Sequence, residues 1–136
     1  MIQLVYQTPL SVAVNAGRTC WQSQDKGGCY PTPTNEIVEA DKQFLDRILN
    51  KHKHRSVAEH IRFVLECNEE PELLHFFQTN KFSFVKFNKN DNNHYISTNL
   101  RVLLELKDNK PTNYITDLIN VIKQEMNRNL LFLFED

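Results

Sequence analysis

The chain has 136 residues, 40% of them hydrophobic, with a mean hydropathy of -0.51 and a formal net charge of -1, which suits one compact domain spanning residues 1–136 with a modest core. That charge gives no general electrostatic footprint for a polyanion, so no nucleic-acid partner is expected, although local basic clusters could still hold phosphates. No apolar run approaches the roughly 20 residues of a membrane helix. Met1-Ile2-Gln3-Leu4 also lacks the order of a signal peptide, so the expectation is a cytoplasmic protein without a membrane partner.

In chain order, Ile2 to Tyr6 reads as a first strand, and Pro9 suits the first turn of a helix that carries Val12, Val14 and Ala16 toward Trp21. Ser23 to Pro33 is a loop punctuated by Gly27, Gly28, Pro31 and Pro33. Thr34 can cap a second helix whose apolar positions Ile37, Val38, Phe44, Leu45, Ile48 and Leu49 lead to the basic group Lys51-His52-Lys53-His54. From Ile61 to Cys67 the residues alternate as a half-buried strand requires. A helix of about a dozen residues then enters through Asn68, has Pro71 in its first turn, and carries Leu73, Leu74, Phe76 and Phe77. Phe82 to Phe87 is a strand, Asn88 to Asn93 a polar loop, and His94 to Ser97 a further strand. Asn99 to Leu106 and Thr112 to Asn127 read as helices, the second with the stripe Ile115, Leu118, Ile119, Ile122 and Met126. Leu130 to Phe134 is too apolar to lie free and should pack on the domain or on another subunit. Cys20, Cys29 and Cys67 are odd in number and lack metal or redox spacing, which favours reduced thiols over a Cys20–Cys29 disulfide.

The segment Lys53 to Leu65 is the most informative. It sets His54, Ser56, Glu59 and His60 within seven residues, directly before the alternating strand. Ser56 and Glu59 have capping-box spacing, which accounts for both without any ligand, and helix-start amides also suit a phosphate. His52, His54 and His60 raise the question of a metal, but no carboxylate or cysteine completes a ligand spacing, so none is expected.

The order His54-x-Ser56-x-x-Glu59-His60 followed by alternating apolar residues resembles the flavin-binding turn of the flavin-dependent thymidylate synthases, the ThyX family. Thr8-Pro9-Leu10 with Arg18-Thr19-Cys20-Trp21-Gln22-Ser23 is similar to that family's first helix, and Ile96 to Leu104 to its late Asn-Ala-Arg helix. Phe132-Leu133-Phe134-Glu135 is similar to the terminal segment of its smaller members. The resemblance implies an α+β fold with helices packed on a central antiparallel sheet, a homo-oligomer such as a tetramer, and a nucleotide ligand. By position, Arg18, His54, Ser56, Glu59, Asn99 and Arg101 would bind FAD.

The chain departs from the family in its middle, and it is shorter than the members. Their Arg-His-Arg-x-x-Ser signature, which serves flavin phosphates and deoxyuridylate, is absent from Phe76 to Ser83. Only Gln78 and Lys81 echo it, as substrate-binding residues, after a shift of one or two positions. Lysine gives up the planar fork of arginine. Glu105 and Lys110 stand where the family continues to an asparagine and a uracil-facing arginine, and a carboxylate at Glu105 would repel a phosphate if it faced the site. In the family the chemistry rests on cofactors, with hydride from reduced flavin, NADPH as reductant and methylenetetrahydrofolate as carbon donor, so the catalytic residues stay unknown. Three readings follow. One is a flavin- and nucleotide-binding relative with little or no thymidylate synthase activity alone. The others are an active minimal or altered-specificity pyrimidine-nucleotide methylating enzyme, and a regulatory or assembly partner without flavin.

Overall fold

The computed structural model describes residues 2–21, 23–27, 30–108, 116, 120 and 130–134. The order is β1 (Ile2–Gln7), α1 (Ser11–Cys20), a 3-10 turn (Gln24–Lys26), α2 (Glu39–Asp46), a π-helical turn (Arg47–Lys51), a 3-10 helix (Arg55–His60), β2 (Arg62–Cys67), α3 (Pro71–Thr79), β3 (Phe84–Asn88), β4 (Asn93–Asn99), α4 (Leu100–Asp108) and α5 (Leu131–Phe134).

The four strands form one antiparallel sheet in the order β1-β2-β4-β3. The period-two pattern of β2 explains its layering, because Phe63, Leu65 and Cys67 are buried whereas Arg62, Val64 and Glu66 are half-buried. The register sets Leu65 between Leu4 and Ile96, and Phe63 beside Thr98. These inward residues join Leu10, Val14, Phe44, Leu45, Ile48, Phe77 and Leu103 in one core, so the helices cover one face of the sheet. The other face presents Tyr6, Val64, Phe84 and Lys86, with Tyr6 52% and Phe84 69% exposed. This is the α+β architecture expected from the sequence.

Several boundaries differ for identifiable reasons. The first helix starts at Ser11, two residues beyond Pro9, whose carbonyl accepts the amide of Val12. Thr34 does not cap α2, which begins at Glu39. Asn35 Oδ1 instead accepts from Leu10 N and Gln7 Nε2, and Ser11 exchanges hydrogen bonds with Thr34, so Thr34 and Asn35 are tied to the start of α1. The cap of α3 is Glu70 rather than Asn68, though Pro71 does open the helix. The polar loop shrinks to residues 89–92, with Asn92 in the left-handed region (φ 59°) that asparagine tolerates, while Asn88 and Asn93 pair across the hairpin. Phe82 and Ser83 precede β3 rather than starting it. Cys20 and Cys67 are free thiols, and burial, ahead of the charges of Glu70 and Glu66, pushes Cys67 up to about 11. Cys29 and the helix expected over residues 112–127, with the stripe Ile115, Leu118, Ile119, Ile122 and Met126, lie outside the described residues. Among the described residues no helix is long and apolar enough to cross a membrane.

The apolar C-terminal segment packs on its own domain. Leu130 and Leu133 are fully buried and Phe134 nearly so, α5 lies against α2 and α4, and the Leu133 carbonyl accepts from Asn50 Nδ2 (3.2 Å) and Lys107 Nζ (2.8 Å). Replacing Leu133 by alanine should therefore cost roughly 2–5 kcal/mol in a urea melt. An unchanged midpoint would place this side chain outside the core.

Candidate functional site

The turn before β2 is a six-residue 3-10 helix that buries Val57 and Ala58, leaves Ser56 exposed, and ends where Ile61 adopts extended geometry. The capping box suggested by Ser56 and Glu59 is not formed: the capping position is His54, without a side-chain cap bond. Glu59 turns instead to Arg101, whose Nη1 lies 3.4 Å from Glu59 Oε2, while Arg101 Nε donates to Glu105 Oε1 at 3.1 Å. Glu105 is thus paired one helical turn along α4. Asn99 is buried, and its Oδ1 accepts the amide of Val102, which caps the first turn of α4. The histidine turn and the late helix accordingly meet within one chain.

His54 is held from α1. Trp21 Nε1 donates to His54 Nδ1 (3.2 Å), so a neutral imidazole here carries its hydrogen on Nε2. The Trp21 ring, 43% exposed, stands between His52 and His54 at centroid distances of 5.7 and 5.8 Å. This exposed trio, with the hydroxyl of Ser56 close by in sequence, offers apolar faces and hydrogen-bonding groups suited to a planar heterocycle. Among the described residues no group of three or more His, Cys, Asp or Glu could hold a metal ion.

Arg18 faces the interior. It is 4% exposed, pairs with Asp41 Oδ1 at 2.9 Å, and stacks its guanidinium 3.8 Å from the Phe44 ring centroid. Tyr30 closes the network by donating its hydroxyl to Asp41 Oδ2 at 2.6 Å; burial first, then this bond, raises its pKa. Gly27 is required beside it, because its φ is +139° and a Cβ there would lie 2.8 Å from Asp41 Oδ1. Sequence reasoning missed Asp41. The available signal was its place in the inward register of α2 with Phe44, Leu45 and Ile48, where a carboxylate needs a buried partner.

A second buried arginine lies next to the turn. Arg55 donates Nε to the Leu49 carbonyl (3.1 Å) and pairs through Nη1 with Asp108 Oδ2 (2.5 Å), which Lys53 also reaches (2.8 Å). Lys53 adopts a left-handed backbone (φ 55°) in this clasp. Burial alone would raise the Asp108 pKa, but hydrogen bonds and charge from Arg55 and Lys53 outweigh it and lower the value. Arg18 Nε and Arg55 Nη2 are buried without a hydrogen-bond partner among the described residues. Gln78 and Lys81 are exposed, at the end of α3 and just beyond it, and the hydrogen bonds and ion pairs of the described residues join neither to the other six expected positions.

Residues 3–81 match the family model described as thymidylate synthase complementing protein. Over 62 residues the chain is 47% identical to a flavin-dependent thymidylate synthase of Campylobacter jejuni, covering 46% of this chain and 27% of the relative. The corresponding enzyme of Wolinella succinogenes is 38% identical over 63 residues, covering 44% and 26%. The matched stretch thus spans about a quarter of these curated relatives. Among solved structures, thymidylate synthase X from Helicobacter pylori, crystallised with FAD and dUMP, superposes with a TM-score of 0.72 at 18% identity, covering 100% of this chain and 98% of that one.

Removing one partner of the Arg18–Asp41 pair strands a buried charge, so Asp41→Leu or Arg18→Met alone should cost about 3–5 kcal/mol, whereas the two together should recover much of that loss. Urea melts of both single variants and the double variant measure the coupling; additive losses would contradict it. Asp108 titrates below its ordinary value of 3.8, so the clasp contributes stability above that pH and loses it as pH falls through the lowered value. An Asp108→Asn variant should flatten the acid limb of the stability profile below about pH 4, and a parallel profile would refute the coupling.

Proposed function

The chain belongs to the thymidylate synthase complementing protein family, and on that premise we propose that it binds FAD and a pyrimidine nucleotide such as dUMP but has little or no thymidylate synthase activity alone. The observation that carries this reading is the meeting of Glu59 and Arg101, which joins the turn inside the family match to a late helix that resembles the family's by its sequence alone. His54, Ser56 and Trp21 would receive the flavin ring system, while Arg101 and the Glu59 turn would orient its polar groups. When bound, FAD supplies hydride transfer, with NADPH and methylenetetrahydrofolate as reductant and carbon source if turnover occurs. A homo-oligomer belongs to the same proposal, with subunits sharing the site.

The weak activity follows from charge. Arg101 already serves two carboxylates, so a phosphate must compete with Glu59 and Glu105 for it. Arg18 is committed to Asp41, and Lys81 offers a point charge where the family uses a planar fork. Each missing preorganised charge-stabilising group costs about 100- to 1,000-fold in rate. The alternative of a regulatory or assembly partner without flavin draws on the same competition at Arg101.

Absorbance near about 450 nm and FAD titration test the cofactor, and product formation from dUMP with FAD, NADPH and methylenetetrahydrofolate tests turnover. The expected outcome is FAD binding that weakens at least about tenfold in His54→Ala and Arg101→Ala, with turnover at least about 100-fold below a full-length relative. Undetectable FAD binding would favour the flavin-free partner; turnover matching that relative would overturn the low-activity reading.

A further inference from the structure

The stretch Lys81-Phe82-Ser83-Phe84-Val85-Lys86-Phe87-Asn88-Lys89 concentrates three lysines and three phenylalanines without a carboxylate, in a chain whose net charge is -1. All six side chains are exposed: Phe82 by 36%, Phe84 by 69% and Phe87 by 45%, together with the three lysines. Its centre is β3, an edge strand of the sheet, so one side of its backbone has no strand partner among the described residues. Lys86, Phe87, Asn88, Lys89 and Tyr95 line a surface cavity of about 350 Å³.

The rings are held, not merely exposed. Pairing from Phe84–Ser97 to Asn88–Asn93 fixes β3 on β4, and the Phe87 ring lies 4.9 Å from that of His94. The Tyr95 hydroxyl lies 2.5 Å from both Glu66 Oε1 and Asp91 Oδ2, anchoring its ring at the cavity wall and engaging both carboxylates. The open face continues inward through half-buried Arg62, which donates to Ser97 Oγ at 2.8 Å, and ends at exposed Tyr6.

Lysine on an edge strand discourages pairing with other strands, which accounts for Lys86. It leaves Phe84 and Phe87 unexplained, since bare aromatics invite association. Alternating cationic and aromatic side chains match a different chemistry: phosphates along a backbone, with unpaired bases that stack on rings. We propose that the β3 edge and adjoining open sheet face bind single-stranded nucleic acid, with Lys86 and Lys89 on phosphates and Phe84 and Tyr95 as stacking surfaces, while Phe87 lies on the opposite side of the strand beside His94. The occupant is a strand rather than a free nucleotide because β3 alone extends roughly 13 Å at about 3.3 Å per residue, with further lysines beyond both ends. Overall charge fails to reveal this surface because carboxylates, Glu66 and Asp91 beside Tyr95 among them, offset the lysines in the total. The inference is independent of flavin binding.

Fluorescence anisotropy of the full chain with a labelled single-stranded oligonucleotide of about twelve nucleotides provides the test, with a duplex of the same length and uridine monophosphate as competitors. The single strand should bind in preference to both. The logarithm of affinity should fall with that of salt at a slope of about -1.4 for two lysine contacts, and Lys86→Glu or Lys89→Glu should each remove about 0.7 of it. Phe84→Ala should weaken binding roughly five- to hundredfold, whereas Phe87→Ala, on the other side of the strand, should leave it within about twofold. Lys89 lies in an exposed turn, so its variant keeps the test valid should a phenylalanine variant fold poorly. No binding at low salt, unchanged affinity in the Lys86, Lys89 and Phe84 variants, a monophosphate that binds as tightly as the strand, or self-association through this face without oligonucleotide binding would each overturn the proposal.

Discussion

The carbonyl of Ile61 accepts the amide of Leu100 at 2.9 Å, where the β2–β4 ladder passes into helical structure on both sides. The neighbouring rung pairs Arg62 with Asn99, so the end of the 3-10 helix and the start of α4 are fixed to each other by sheet geometry. Asn99 can then turn its side chain to the Val102 amide, and Glu59 and Arg101 face one another. If β2 slipped by one residue on β4, its inward Phe63 and Leu65 would move to the open face. The core therefore holds in register a site that lies outside it.

The pattern-bearing parts of the fold were legible. Alternation identified β2, and helical spacing identified Phe44, Leu45, Ile48 and Leu49 as the inward residues of α2 and the turn after it, whereas exposed Val38 falls outside that face, and in α1 the buried side is Ser11, Ala13, Val14, Gly17 and Arg18 rather than Val12, Val14 and Ala16. The errors share a cause. Thr34 has good capping chemistry, but Gln7, Leu10 and Ser11 bind the segment that contains it and delay the helix to Glu39. Ser56 and Glu59 have capping-box spacing, yet the carboxylate finds Arg101, 42 positions on. The Trp21–His54 hydrogen bond likewise joins residues 33 apart. Local spacing states what a side chain can do, and a distant partner decides what it does.

Family likeness is uneven along the molecule. The family model covers residues 3–81, from β1 through α3, whereas the superposition with the Helicobacter pylori enzyme covers the whole chain at 18% identity. Cores tolerate exchange among apolar residues when volume and pattern persist, so a fold outlasts its sequence. Recognition of phosphate by planar, bidentate arginine lacks that tolerance. In the segment that follows α3, Arg101 joins two carboxylates and Asp108 joins Arg55 and Lys53.

The topology also shapes how the chain reaches its native state. Leu4 pairs with Leu65, and Asn50 bonds to the carbonyl of Leu133, 83 residues away. Such closures cost chain entropy before burial repays it, so formation should be slow relative to helical bundles of the same size. The β3–β4 hairpin alone closes locally, across residues 89–92. Its pairing therefore costs the least closure entropy of any in the sheet. Without β1 the outer edge of β2 would expose its unpaired backbone groups, so the first strand of the chain also shields the sheet from pairing with other molecules.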